Sequence, residues 1–129
     1  MTTHKAKGLQ VVATDIWERA GIVGAVCHGS AIPRGIIDSK TGKSIIHGKT
    51  VTGFTIEGEL IFRIDKLRAA GVVPVVEAVT EAGVFYSGSV GAFDDYSITS
   101  GRVVTGTNPA SGRNATERGV KSFDHLEGK

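Results

Sequence analysis

The sequence contains one cysteine, Cys27, which excludes an internal disulfide and any metal site built from several cysteines. It has no run of about 18 consecutive apolar residues that could span a membrane, and its first ten residues lack the apolar core of a signal peptide. The chain also has no large excess of positive or negative charge, since its net charge is +2. Its basic residues are scattered singly and predict no basic patch. We therefore expect a cytoplasmic protein without nucleic-acid or membrane partners.

Length and composition indicate one globular domain. A chain of 129 residues, 40% hydrophobic and 22% charged, is long enough to bury one hydrophobic core. The 18 glycines are spread without a period, which indicates many tight turns and close backbone approaches rather than a linker.

The apolar pattern predicts helices that alternate with strands. Predicted helices cover residues 9–19, 30–37, 57–70, 74–82 and 109–126, and predicted strands cover residues 22–26, 50–54, 84–86, 96–99 and 102–106. A Ser-Gly pair at 100–101 predicts a hairpin between the last two strands. Asn108 is expected to cap the final helix and Pro109 to open it. The continuous apolar run at 22–26 predicts a strand buried on both faces, so the fold class is α/β.

Cys27 follows that buried strand and is succeeded by His28 and Gly29. A strand, a sharp turn and a helix are the layout of a nucleophile elbow, in which the turn lifts the side chain above the sheet edge. Amides at the start of the helix and an adjacent imidazolium both favour a thiolate. The alternative from these residues alone is a buried core cysteine beside a loop histidine.

Three segments carry a wider resemblance: GIVGAVCHGSA, TGKSIIHGKTVTGFTIEGE and DDYSITSGRVVTGTNPAS. They resemble the ThiJ/PfpI superfamily of class I glutamine-amidotransferase-like proteins, and most of all its fungal heat-shock branch of glutathione-independent glyoxalases. The resemblance implies a flavodoxin-like doubly wound sheet, with a late β-hairpin and a C-terminal helix. It also implies a catalytic triad of Cys27, His28 and the glutamate of the GFTxxGE segment, Glu59. Glu57 lies two residues earlier but does not align with the family glutamate, and without the family Glu59 would be interpreted as a solvated carboxylate at a helix start.

Several other polar residues are interpreted as structural. His47 and His125 lie outside any family motif, and we expect surface or loop roles for both. Asp94 and Asp95 are adjacent in a predicted turn, so fixing the loop is favoured over a metal site. The segment 106–111 resembles an anion site at a helix start, but in this family it is a recurring structural turn.

The family domain begins well before the position that Met1 occupies here. Residues 1–8 are expected to form a disordered lead and residues 9–129 the C-terminal part of a ThiJ/PfpI domain, so that the sheet is incomplete and its N-terminal strands are missing. Three interpretations stay open: a truncated product, a fragment that needs a separate N-terminal partner, or a rearranged oligomer. Without the early strands, the strand at 22–27 would expose an apolar edge, which favours aggregation or pairing with another chain.

The activity implied by the resemblance is conversion of a 2-oxoaldehyde, methylglyoxal, to D-lactate without metal, glutathione, nucleotide or other cofactor. The expected partners are that small substrate, the missing N-terminal segment or a second copy in a homodimer. The rival functions are a stress-related holding chaperone, whose partners would be unfolded clients, and a cysteine peptidase or amidase. Aggregation suppression that survives removal of the thiol would separate the chaperone from the enzyme.

Overall fold

A computed structural model describes residues 6–127 of the chain. Within this range lie five α-helices, five β-strands and two 3₁₀ helices. The α-helices are α1 (Lys7–Glu18), α2 (Ile56–Ile61), α3 (Ile64–Ala69), α4 (Val75–Thr80) and α5 (Gly112–Glu127). The strands are β1 (Val23–Val26), β2 (Thr50–Val51), β3 (Phe85–Tyr86), β4 (Ser97–Ser100) and β5 (Val103–Gly106), and the 3₁₀ helices are Cys27–Gly35 and Pro109–Ser111.

The strands form two small sheets. One has the order β1-β5-β4, with β1 parallel and β4 antiparallel to β5, and the other is the parallel pair β2-β3. Helices alternate with these strands, so the predicted α/β class is confirmed. None of the helices within residues 6–127 is long and apolar enough to cross a membrane.

The hairpin β4-β5 is present as predicted, with its turn one residue later. Ser100 pairs with Val103, so the two loop residues are Gly101 and Arg102 rather than Ser100 and Gly101. Gly101 has φ 61°, a left-handed conformation that glycine adopts without the steric cost of a Cβ. Glycine therefore stands at the first loop position, where a positive φ is needed.

The hydrophobic core lies between the 3₁₀ helix after β1, the loop that leads into β2, and α4. Its most buried members are Ile36, Ile46, Val51, Phe54, Val75, Val79 and Val103. Helix α1 contributes mainly Trp17, whose Nε1 donates a hydrogen bond to Asp38 Oδ2 (3.1 Å).

Ala13 packs against this core, but most of the other apolar side chains of α1 are exposed. Leu9, Val12 and Ile16 lie in solvent. The helix also begins at Lys7 rather than Leu9 and ends at Glu18, one residue before the predicted end. The predicted disordered lead falls largely on residues 1–5, which lie outside the described residues.

The single helix predicted over 57–70 is wrong. The chain forms α2 and α3 with a break between them, where Arg63 has φ 63°. Leu60 and Ile61 do not face the core, because they are 59% and 57% exposed. Helix α2 instead buries Gly58 and Glu59. The orientation of the helix is therefore set by the packing of these two residues and not by the spacing of its apolar residues.

The predicted burial of the first strand on both faces is also wrong. In β1 only Val23 is buried, and Gly24 is exposed. β1 is the edge of its sheet, with β5 as its only partner strand within residues 6–127.

A buried threonine network joins the end of β2 to β5. The Thr52 amide donates a hydrogen bond to Thr105 Oγ1 (2.9 Å), and the hydroxyl oxygens of Thr52 and Thr107 are 2.8 Å apart. All three side chains are buried. The strand predicted over 50–54 therefore ends at Val51, because the residues after it bond to β5 side chains instead of continuing a ladder.

Candidate active site

Cys27 lies at the C-terminal end of β1, where the strand passes directly into the 3₁₀ helix Cys27–Gly35. Its φ is 61°, a conformation that a residue with a Cβ adopts only under strain. The side chain is half-buried. The sharp strand-to-helix turn predicted at this residue is therefore present.

His28 connects the thiol to a carboxylate. Its Nδ1 lies 3.6 Å from Cys27 Sγ, and its Nε2 lies 2.9 Å from Glu59 Oε1. When the Nε2–H group donates a hydrogen bond to the carboxylate, Nδ1 carries a free lone pair toward the thiol. This tautomer makes Nδ1 the basic atom beside the sulfur.

The segment Gly53–Glu59 places the carboxylate against the histidine. Thr55 Oγ1 accepts a hydrogen bond from the Gly58 amide (3.0 Å) and so caps the start of α2. A Cβ on Gly58 would lie 2.6 Å from the ring of Phe54, so only glycine permits this approach. The buried Phe54 ring packs against the His28 ring with centroids 4.8 Å apart. The helix, the aromatic ring and the imidazole are thus held as one packed unit.

The two candidate glutamates occupy different environments on α2. Glu59 is 2% exposed and contacts His28, whereas Glu57 is exposed to solvent and has no contact with the histidine. Glu59 Oε2 is buried without a hydrogen-bond partner within residues 6–127, and so is Ser30 Oγ. A buried carboxylate with one hydrogen-bond partner is costly in free energy, which makes Glu59 a candidate for a chemical rather than a stabilising role.

The electrostatic surroundings favour a protonated imidazole. The hydrogen bond with Cys27 raises the pKa of His28 above its ordinary value, burial opposes this, and the negative charge of Glu59 adds to the rise. An imidazolium at Nδ1 stabilises a thiolate at the adjacent sulfur.

We expect the raised pKa of His28 to make the stability of the chain pH-dependent. The folded chain binds the His28 proton more tightly than the unfolded chain, so its contribution to stability is complete below about pH 6.5 and is lost as the pH rises through the raised pKa. The free energy of unfolding, measured with urea across this pH range, should decline more with rising pH for the unaltered chain than for His28→Gln. Identical pH profiles of stability for the two proteins would contradict a raised pKa of His28.

The other polar candidates lie elsewhere in structural roles. His47 Nδ1 lies 3.2 Å from the Ala82 carbonyl oxygen at an exposed position. Asp94 Oδ2 accepts a hydrogen bond from the Gly91 amide (2.7 Å), which fixes the loop before the hairpin. No cluster of three or more potential metal-ligating side chains occurs in the part of the chain that the structure describes.

The turn at 106–111 is closed by its own side chains. Asn108 is fully buried, and its Nδ2 donates hydrogen bonds to the Ala92 and Asp94 carbonyl oxygens (3.0 and 2.7 Å). Its Oδ1 accepts from Ser111 Oγ at 3.2 Å. The segment joins the loop before the hairpin to the start of α5, in agreement with its interpretation as a structural turn.

Two residues of the site are not among those predicted from the sequence. Phe54 packs under the imidazole, but in the sequence it is one apolar residue among several. Thr55 precedes the first helical residue of α2, which is an N-cap signal. That signal could have placed the helix start and the inward-facing Glu59 more accurately.

Known proteins that this chain resembles are named as glyoxalases. No family model matches the chain. It is 48% identical over 124 residues to the glutathione-independent glyoxalase HSP31 of Saccharomyces cerevisiae, covering 95% of this chain and 51% of that protein. It is 39% identical over 120 residues to glyoxalase 3 of Candida albicans, covering 92% and 51%. The crystal structure of glyoxalase III from Candida albicans superposes with a TM-score of 0.88 at 36% identity, covering 93% of this chain and 51% of that one.

The chain thus spans about half the length of the curated relatives that it matches. The TM-score is high over nearly the whole chain. This chain and the matched half of the glyoxalase therefore share one fold. The architecture is that of part of a flavodoxin-like sheet, as predicted.

Proposed function

Because the homologues of this chain are glutathione-independent glyoxalases of the HSP31 family, we propose that it supplies the thiol, the base and the carboxylate for the same reaction. The substrate would be methylglyoxal and the product D-lactate. The observation that carries the proposal is the placement of His28 between Cys27 Sγ and Glu59 Oε1.

The first step uses Cys27. With His28 Nδ1 taking its proton, the sulfur adds to the aldehyde carbon of methylglyoxal and forms a hemithioacetal. His28 delivers the thiol proton to the new alkoxide oxygen and so becomes neutral again. It then removes the proton from the same carbon and returns it to the neighbouring ketone carbon, while the hydroxyl proton passes to the ketone oxygen. The aldehyde carbon is thereby oxidised to a thioester and the ketone carbon reduced to an alcohol, so no external oxidant or reductant is needed. Water hydrolyses the thioester to lactate and releases the thiol.

Glu59 acts through His28. Its carboxylate holds the Nε2–H tautomer and stabilises the imidazolium that forms when Nδ1 accepts a proton. Since Glu59 is buried, this charge interaction is little screened by solvent. Glu59 is therefore a positioning residue for the base.

A holding chaperone is the second candidate, and the observation that favours it is exposed apolar surface. Leu60, Ile61 and Phe62 lie side by side on and after α2, and each is more than half exposed. Contiguous apolar surface of this kind can bind unfolded chains. The two functions differ in their dependence on the thiol.

The proposed reaction is tested by mixing the chain with the half of HSP31 that it does not match and following methylglyoxal without glutathione. We expect consumption only when both polypeptides are present, because the chain spans about half of its relatives. Absence of consumption by a demonstrated complex of the two would contradict the proposal.

A further inference from the structure

Basic side chains that are scattered singly in the sequence gather around one cavity in the structure. The cavity has a volume of about 710 Å³ and lies between α5 and the loop of the hairpin β4-β5. Arg118, Lys121 and His125 line it from α5, and Arg102 lines it from the hairpin loop. The three positions on α5 follow each other at intervals of three and four residues, which places them on one face of the helix.

Positive charge is in excess around this cavity. Among its lining residues Glu117 carries the only carboxylate, and Arg113 Nε already lies 3.1 Å from Glu117 Oε1. No carboxylate of residues 6–126 forms an ion pair with Arg118 or Lys121. The cavity therefore suits an anion, because several cations face one carboxylate that is already paired.

Arg102 is held in a fixed orientation. Its Nη1 donates hydrogen bonds to the carbonyl oxygens of Trp17 and Gly21 (2.9 and 2.8 Å), and its guanidinium carbon lies 3.6 Å from the centroid of the Trp17 ring. Its Nε and Nη2 donate no hydrogen bond to the described residues. These two nitrogens form one planar edge, which can bind two oxygens of a phosphate group with little further loss of side-chain entropy.

We propose that this cavity binds a small molecule that carries two or more phosphate groups. One phosphate accepts hydrogen bonds from the Nε and Nη2 edge of Arg102. The cations on α5 extend over seven residues, about 10 Å along the helix axis, so a second phosphate can pair with Lys121 while the first stays on Arg102. Ile22 and Leu126 also line the cavity and offer an apolar contact to the carbon skeleton of the ligand.

The cavity is separate from the candidate active site. Ile22, which precedes β1, lines the cavity, whereas Cys27 follows β1 at its other end. A strand of four residues spans about 13 Å. Phosphate binding therefore does not depend on the methylglyoxal reaction, and Cys27→Ala should bind the same ligand with unchanged affinity.

The site is tested by calorimetric titration of the 129-residue chain with inorganic pyrophosphate at low ionic strength. We expect one pyrophosphate per chain, bound about tenfold more tightly than inorganic phosphate or citrate, because each phosphate group offers three strong acceptor oxygens. In the NMR spectrum the Arg102 Nε–H resonance should shift on binding. The Nε–H resonance of Arg63, which pairs with Asp65, should stay in place.

Two substitutions on α5 locate the ligand. Lys121→Gln and Arg118→Gln each remove one cation from the cavity, and each should weaken pyrophosphate binding by about tenfold, since a hydrogen bond to a charged group is lost. Lys66→Gln is the control, because it changes the net charge equally at an exposed position on α3 that does not line the cavity. All three side chains are exposed, so the circular dichroism spectrum should not change.

Other outcomes would overturn the inference. Equal weakening by Lys66→Gln would assign binding to the general charge of the chain, and citrate bound as tightly as pyrophosphate would exclude a phosphate site. Tighter binding of duplex DNA or of phosphatidylglycerol vesicles, lost in Lys121→Gln, would assign these cations to a macromolecular surface. Loss of pyrophosphate binding in Cys27→Ala would place the ligand at the thiol, whereas pyrophosphate binding by a chain that leaves methylglyoxal unchanged would count against the proposed function alone.

Discussion

Replacing Cys27 with alanine is expected to reduce glutathione-independent methylglyoxal consumption by the assembled protein by about 1,000-fold or more. The sulfur forms the bond to the aldehyde carbon, and the chain has no other cysteine that could replace it. The imidazole cannot act on a hemithioacetal that does not form. The measurement is the initial rate of methylglyoxal loss at saturating partner.

Cys27→Ser is the matched variant, because it keeps the size and polarity of the side chain at the strained turn while weakening the nucleophile. We expect it to bind the partner normally and to be nearly as inactive as the alanine variant. Both variants should still suppress client aggregation if the exposed apolar surface of α2 acts as a chaperone. Activity above a tenth of normal in Cys27→Ala would exclude the thiol from the reaction.

Glu59→Gln is expected to lower kcat by about 100-fold or more with a small effect on KM. The amide can present its NH₂ group to Nε2, which would place the proton of a neutral imidazole on Nδ1 and remove the base beside the sulfur. It also removes the buried negative charge that helps to raise the pKa of His28. The pH at which the His28 ring titrates, followed by NMR, should therefore fall.

Glu57→Gln is the matched control on the same helix. Glu57 is exposed, and its replacement should change kcat by no more than about twofold and leave the His28 titration where it was. A purely structural role for Glu59 would reduce activity without moving that titration. Equal kinetic effects of the two substitutions would show that the carboxylate has been wrongly chosen.

Local patterns predicted the strand-turn-helix at Cys27, the late hairpin and the final helix, because each depends on residues close together in the chain. The contact between His28 and Glu59 joins positions 31 residues apart, and no local spacing encodes it. The pairing of His28 with Glu59 was predicted only from the family resemblance of the three sequence blocks. The homologues confirm that resemblance.

The errors in the predicted fold have a common physical cause. Hydrophobic periodicity shows which residues need burial but not what buries them. Leu9, Val12 and Ile16 on α1 and most of β1 are apolar, yet they are not buried in the described chain. On α2 the periodic stripe is exposed and Glu59 is buried, because the position of the carboxylate is set by His28 and Phe54.

The central proposal is that Cys27, His28 and Glu59 convert methylglyoxal to D-lactate when the chain is combined with the half of HSP31 that it does not match. The most direct test is NMR of isotope-labelled methylglyoxal incubated, without glutathione, with the assembled complex of this chain and the N-terminal half of HSP31. The predicted result is D-lactate from the unaltered complex and unchanged methylglyoxal from the same complex carrying Cys27→Ala. Methylglyoxal that stays unchanged in the unaltered complex, or lactate formed equally by both, would contradict the claim.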